Sequence, residues 1–137
     1  MTDQPPERTI EQILKESKTI AVVGLSANPG RDSHQVASYL KRNGYIIYPV
    51  NPNYEQVLGS RCYTNLSDIP DAIDIVDIFR RPEHIPPIAG EAVKIGAKVI
   101  WMQLGIRNEE AAETARRAGL QVIMDRCIKI EHQRLLR

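Results

Sequence analysis

Short runs of β-branched and apolar residues alternate along this chain with longer stretches in which apolar positions recur every three or four residues. That alternation predicts an α/β domain. Residues 9–17 (TIEQILKES) set Ile10, Ile13 and Leu14 on one face with charges opposite, a short opening helix with Thr9 as its cap. Residues 19–23 (TIAVV) are apolar enough for a central parallel strand buried on both faces. Residues 33–43 (SHQVASYLKRN) space Val36, Ala37, Tyr39 and Leu40 helically, with Ser33 as N-cap and Gly44 just past the end. Residues 45–50 (YIIYPV) read as the second strand, with Pro49 near its end, where a missing ladder donor matters least.

Residues 51–70 hold Asn51-Pro52, Gly59-Ser60 and Ser67-Asp68, all turn formers, and predict a winding connection with a short ribbon over 57–62. Regularity returns with a third strand at 75–79, a helix at 82–95 and a fourth strand at 98–102. Pro86 and Pro87 are expected to confine the regular helix to the residues after them. Asn108 then caps a helix over 109–118, Gly119 ends it, residues 121–124 form the fifth strand, and 128–136 are helical by period. Five strands joined by right-handed crossovers give a doubly wound, Rossmann-like parallel sheet in three α/β/α layers.

Length narrows the picture. A chain of 137 residues supports one domain, 1–137, burying roughly two-thirds of its unfolded surface, and is too short for a dinucleotide domain plus a substrate domain. Eighteen basic and seventeen acidic residues leave a formal charge of +1, so no global field recruits nucleic acid or an anionic membrane. Cys62 and Cys127 form no C-x-x-C pair, and with three scattered histidines they make no metal-ligand cluster, which fits a reducing cytoplasm. The polar, proline-bearing start (MTDQPPERTI) has no leader character, and no apolar run approaches membrane-spanning length.

The candidate chemistry lies at strand ends. In a doubly wound sheet ligands bind outside the carboxyl ends, here expected at the switch point between the first and fourth strands. The turn GLSANPGRDS (24–33) follows the first strand but lacks the second and third glycines of G-x-G-x-x-G. Gly24 permits a sharp turn, Ser26 and Asn28 offer short polar groups, Arg31 adds a mobile cation, and the helix starting near Ser33 presents unpaired N–H groups to a phosphate. The second strand ends in Asn51-Pro52 rather than the acid that holds a NAD ribose. Phe79-Arg80-Arg81-Pro82, Gln103-Leu104-Gly105-Ile106-Arg107 and Asp125-Arg126-Cys127 close the other strands, and the arginine pair beside a phosphate turn points to a ligand with several phosphates.

Catalytic teams are harder to find. Cys127 and His132 are five apart, about 140° around one helix, and share no face. Cys127 reads as a small buried residue, His34 as an exposed helix-start histidine, Trp101 as core, and Asp125 as a cap or as a brace for Arg126. Asp74 and Asp77 flank the third strand without pairing at its end, so acid–base catalysis has no evident partners.

VVGLSANPGRDS, YPVNPN, DIFRRPE, WMQLGI and MDRCIKIEH, in this order and spanning residues 13–135, resemble the small stand-alone coenzyme A-binding proteins. Their domain is similar to the N-terminal CoA-binding domain of the succinyl-CoA synthetase α subunit and of ADP-forming acyl-CoA synthetases. The resemblance implies that the first turn, with Gly24, Leu25, Ser26, Ala27, Asn28, Arg31 and Ser33, carries CoA phosphates. Asn51 and Pro52, with Phe79, Arg80, Arg81 and Pro82, would flank the adenosine, and Gln103, Leu104, Gly105 and Ile106 would line the pantetheine side. Ligase activity is not implied, because these residues supply neither the phosphohistidine domain nor the nucleotide-grasp partner of the synthetases. The reading is a single-domain protein that binds coenzyme A or an acyl-CoA without catalysis of its own, a homodimer being compatible with it. Two alternatives stay open: an NADP- or nucleotide-dependent enzyme subunit completed by a partner chain, and a docking subunit of an acyl-CoA synthetase-like assembly.

Overall fold

The computed structural model describes residues 4–136. Helix α1 (Glu7–Glu16) starts earlier than its period suggests, because Pro6 rather than Thr9 caps it: the Pro6 carbonyl accepts from Thr9 N and Ile10 N at 2.9 and 3.1 Å. Strand β1 (Thr19–Val23) matches the apolar run 19–23 residue for residue. Helix α2 (Asp32–Arg42) also begins early, its cap two residues ahead of the expected Ser33. Arg31 is its cap residue, and its carbonyl accepts from His34 N and Gln35 N, each at 3.1 Å. Ser33 is therefore inside the helix, and its buried hydroxyl turns back to accept from Ser26 N at 3.0 Å.

Strand β2 (Ile46–Val50) leads into a two-stranded antiparallel ribbon of β3 (Gln56–Val57) and β4 (Ser60–Arg61). Leu58 and Gly59 turn the ribbon in left-handed conformations, φ 54° and 75°. After β5 (Ile75–Ile78), a 3-10 turn over Pro82–His84 precedes α3 (Ile85–Lys94). Pro86 and Pro87 lie inside the first turn of α3, not ahead of it, since the N–H groups they lack have no intrahelical acceptor there. Strand β6 (Val99–Met102), helix α4 (Glu109–Arg117), strand β7 (Gln121–Ile123) and helix α5 (Ile128–Leu135) complete the order. Asn108 caps α4 as expected, its side chain accepting from Ala111 N at 2.8 Å.

The five main strands are all parallel, in the order β2-β1-β5-β6-β7. One face carries Ala21, Val23, Val76, Ile78, Ile100 and Met102 against alanine-rich sides of α3 and α4. The other carries Ile20, Val22, Ile75, Val99, Trp101 and Ile123 against α1, α2 and α5. Helices on both faces make the predicted three-layer, Rossmann-like fold. The strand order corrects one expectation. The chain leaves β1 for one face and β5 for the other, so the switch point lies between the first and third main strands, not the first and fourth.

Candidate functional site

At that switch point the turn after β1 meets the corner after β5. Gly24 has φ +87°, and a Cβ there would lie 2.5 Å from the Phe79 carbonyl oxygen and 3.1 Å from Arg80 Cδ. No other residue fits without displacing backbone. The turn is held by its own polar groups: Ser26 Oγ accepts from Asn28 N at 3.0 Å and Asn28 Oδ1 accepts from Gly30 N at 2.9 Å. His34 Nδ1 lies 2.9 Å from the Ser26 carbonyl, so this half-buried histidine braces the turn and is not simply exposed. Asn51 donates from Nδ2 to the Leu25 carbonyl at 3.0 Å and accepts from Asn53 N, fastening the end of β2 to the same turn.

A cavity of about 750 Å³ opens over this crossing, within the range of small-molecule sites. From the residues expected in a site it takes Gly24, Arg31 and Ser33 of the first turn, Phe79, Arg80, Arg81 and Pro82 of the next corner, and Gln103 and Ile106 after β6. The others stand outside the lining. Leu25 is fully buried core; Ser26, Ala27 and Asn28 form the back of the turn; Asn51 and Pro52 lie behind it; and Gly105 points elsewhere, its N–H donating to Asp125 Oδ1 at 2.6 Å. Asp125, at φ +59°, thus anchors the loop after β6, neither capping α5 nor bracing Arg126.

Two helices add residues that spacing did not reveal. Asp32, Gln35 and Val36 come from α2, and Lys129, Ile130 and Gln133 from α5; Leu104, expected on the pantetheine side, and Cys127, the cap residue of α5, line the cavity as well. They converge because α2 and α5 share one face of the sheet and because β6 holds the start of α5 in place. Gln103 Oε1, buried, accepts from Ile128 N at 3.1 Å, and Trp101 Nε1 donates to the Arg126 carbonyl at 2.8 Å. The signal for this second wall was the motif MDRCIKIEH, whose period showed a helix but not which helix it faces.

The electrostatics favour an anion. Arg31, Arg80, Arg81 and Lys129 line the cavity against one carboxylate, Asp32. Among the described residues no carboxylate pairs with Arg31, Arg80 or Arg81, whereas Lys129 Nζ sits 5.5 Å from the Tyr39 ring centre. Cys127 and His132 do not meet: Cys127 faces the cavity, while His132 is buried with Nδ1 2.7 Å from Tyr39 Oη and edge-on to the Tyr39 and Tyr45 rings. Burial, together with Tyr39, pushes the Tyr45 hydroxyl up to about 12. Among the described residues no cluster of His, Cys, Asp or Glu could hold a metal ion, and no helix is long and apolar enough to cross a membrane. Two residues before Phe79, Asp77 is fully buried with neither carboxylate oxygen hydrogen-bonded, and burial raises its pKa well above the usual range. It does not line the cavity.

A parallel sheet whose switch-point crevice combines a tight glycine turn and a helix start defines a Rossmann-like domain. The family described as CoA binding domain matches residues 18–133, and the chain belongs to that family. It is 45% identical over 128 residues to the uncharacterized protein YneT of Bacillus subtilis, covering 93% of this chain and 95% of that one. A hypothetical protein from Pyrococcus horikoshii has the same architecture, with a TM-score of 0.96 at 45% identity over 98% of this chain and 95% of that one. The ADP-forming acetate–CoA ligase II of Archaeoglobus fulgidus is 33% identical over 105 residues, which are 73% of this chain but only 16% of the ligase. The chain therefore corresponds to one part of such ligases.

Proposed function

We propose that this protein binds coenzyme A or an acyl-CoA in the switch-point cavity, as one domain over residues 1–137 and without catalysis of its own. The arginines carry this reading: Arg31, Arg80 and Arg81 line a cavity with Gly24, and no carboxylate among the described residues ion-pairs with them, which leaves them available to a polyphosphate. The pyrophosphate sits on the turn 24–33 and the start of α2, whose N–H groups and dipole favour an anion. Arg80 or Arg81 meets the ribose phosphate, and the pantetheine runs toward Gln103 and Ile106. The partner is a small molecule rather than a nucleic acid or membrane, and two free thiols, Cys62 and Cys127, suit a reducing cytoplasm.

A ligand that binds only the native state stabilises it by mass action, so CoA raises the melting temperature. NAD raises it less, because the end of β2 offers Asn51, engaged with the turn, where a NAD domain offers an acid to the ribose. Equal shifts with NAD and CoA in a thermal-melt titration would overturn the assignment.

A further inference from the structure

Among the described residues, four large hydrophobic side chains are more than a third exposed: Ile46 (55%), Tyr54 (37%), Leu104 (63%) and Ile130 (50%). Single exposed apolar residues need no explanation. Ile46 and Tyr54 lie outside the cavity, but Leu104 and Ile130 both line it, from different elements. Leu104 stands on the loop after β6 and Ile130 on the first turn of α5.

Leu104 is held out in this position rather than left on a loose loop. Gly105 N donates to Asp125 Oδ1 at 2.6 Å, Ile106 N to the Gln103 carbonyl at 2.9 Å, and Asp125 N to the Ile106 carbonyl at 3.1 Å. Across the cavity the lining changes in the order of the strands. Arg31 follows β1, Arg80 and Arg81 follow β5, and Leu104 and Ile106 follow β6. A ligand that fits this order is anionic at one end and apolar at the other, where the cation beside Ile130, Lys129, lies 5.5 Å from the Tyr39 ring centre.

Resting on the proposed reading of the site, we infer that Leu104 and Ile130 form a seat for the acyl chain, so that the ligand is an acyl-CoA with a short uncharged chain rather than free CoA. With phosphates at the arginines and pantetheine along Gln103 and Ile106, the thioester reaches the rim where these two side chains stand. The linear butyryl group covers them. A chain ending in a carboxylate, such as succinyl, loses apolar contact with this pair and must draw Lys129, which lines the cavity beside Ile130, away from the Tyr39 ring to pair its charge.

The test is titration calorimetry with CoA, butyryl-CoA and succinyl-CoA on the wild-type chain and on Ile130→Asn and Leu104→Asn, with sedimentation velocity on each protein. Both positions are exposed, so the variants fold, and the melting temperature checks this. Butyryl-CoA is expected to bind the wild type about tenfold tighter than CoA, the yield of a few methylenes partly removed from water, and succinyl-CoA no tighter than CoA. Either variant should bring the butyryl-to-CoA ratio close to one. CoA binding with no butyryl preference, or a preference that survives both variants, overturns the acyl seat while leaving the CoA reading standing. No binding of any of the three defeats both. A wild-type dimer that falls to monomer in the variants assigns the rim to a second copy of the chain and likewise overturns the seat.

Discussion

Asp74, just before β5, and Arg80, just after it, lie at opposite edges of one sheet, and their surroundings differ in kind. At the amino edge, Asp74 Oδ2 accepts from Lys18 N at 2.7 Å and Thr19 N at 3.2 Å, and Lys98 Nζ lies 3.5 Å from Oδ1. Thr19 Oγ1 closes the same corner, donating to the Ala72 carbonyl and accepting from Asp74 N. Partial burial alone would raise the Asp74 pKa, but the two backbone N–H groups and Lys98 outweigh it and hold the carboxyl below 3.8. At the carboxyl edge, Arg31, Arg80 and Arg81 face an open cavity with no carboxylate among the described residues paired to them. Polar groups that satisfy one another stabilise a fold, and like charges collected without partners are the mark of a place for something else. Changes at the amino edge should therefore alter stability and spare binding, and changes to the arginines should do the reverse.

Gly24 breaks that division, because it lies at the binding edge yet carries the fold. Gly24→Val places a side chain 2.5 Å from the Phe79 carbonyl at a φ that valine resists, and should cost about 2–4 kcal/mol in urea unfolding along with the loss of CoA binding. Stability within about 0.5 kcal/mol of wild type would show that the turn and the Phe79 corner are not packed as described.

Asp74→Ala sharpens the comparison from the other side. It leaves the N–H groups of Lys18 and Thr19 without their acceptor and should cost about 1–3 kcal/mol, with CoA affinity unchanged. Because the folded state lowers this carboxyl's pKa, its stabilisation is complete above 3.8 and disappears as the pH falls through the lowered value; the variant should lose that acid dependence. An affinity loss matching the stability loss would mean that the two edges are coupled.

The effect of Asp77 on the pH dependence is opposite in sign. The folded state raises its pKa, so the fold holds this proton more tightly than the unfolded chain does. Its contribution favours folding in acid and weakens as the pH rises from 3.8 toward the raised folded value. Asp77→Asn removes that titration, so its melting temperature should fall less than that of wild type as the pH rises from 4 to 7. Parallel melting curves across this range would place a partner on the carboxylate.

How much of this was legible in the sequence follows from what each signal depends on. TIAVV and the Asn108 cap are local: burial on both faces and one side-chain acceptor decide them, and both were read to the residue. The starts of α1 and α2 were missed because serine and threonine are ordinary caps, while here the carbonyls of Pro6 and Arg31 take that place and Ser33 is drawn inward by Ser26. The switch point was misplaced because strand order is set by the faces on which α2 and α3 pack, which no local pattern encodes. In the site, the arginine corner was visible as charge after an apolar strand. Lys129, Ile130 and Gln133 were not, since they reach the cavity only because α5 returns beside α2.

The central claim, that the unpaired arginines at the carboxyl edge wait for a phosphorylated ribose, is tested most directly by titration calorimetry of CoA against dephospho-CoA, which lacks the ribose 3′-phosphate. A charge-assisted contact contributes about 1.5–3 kcal/mol, so the wild type should prefer CoA about tenfold or more, with the gap narrowing at high salt. The double change Arg80→Ala and Arg81→Ala should shrink that preference without lowering stability. Arg107→Ala, whose guanidinium pairs with Glu109 at 3.3 Å outside the cavity, should leave it intact. Equal affinity of the wild type for the two ligands would contradict the account and reduce the arginine corner to a solvated surface.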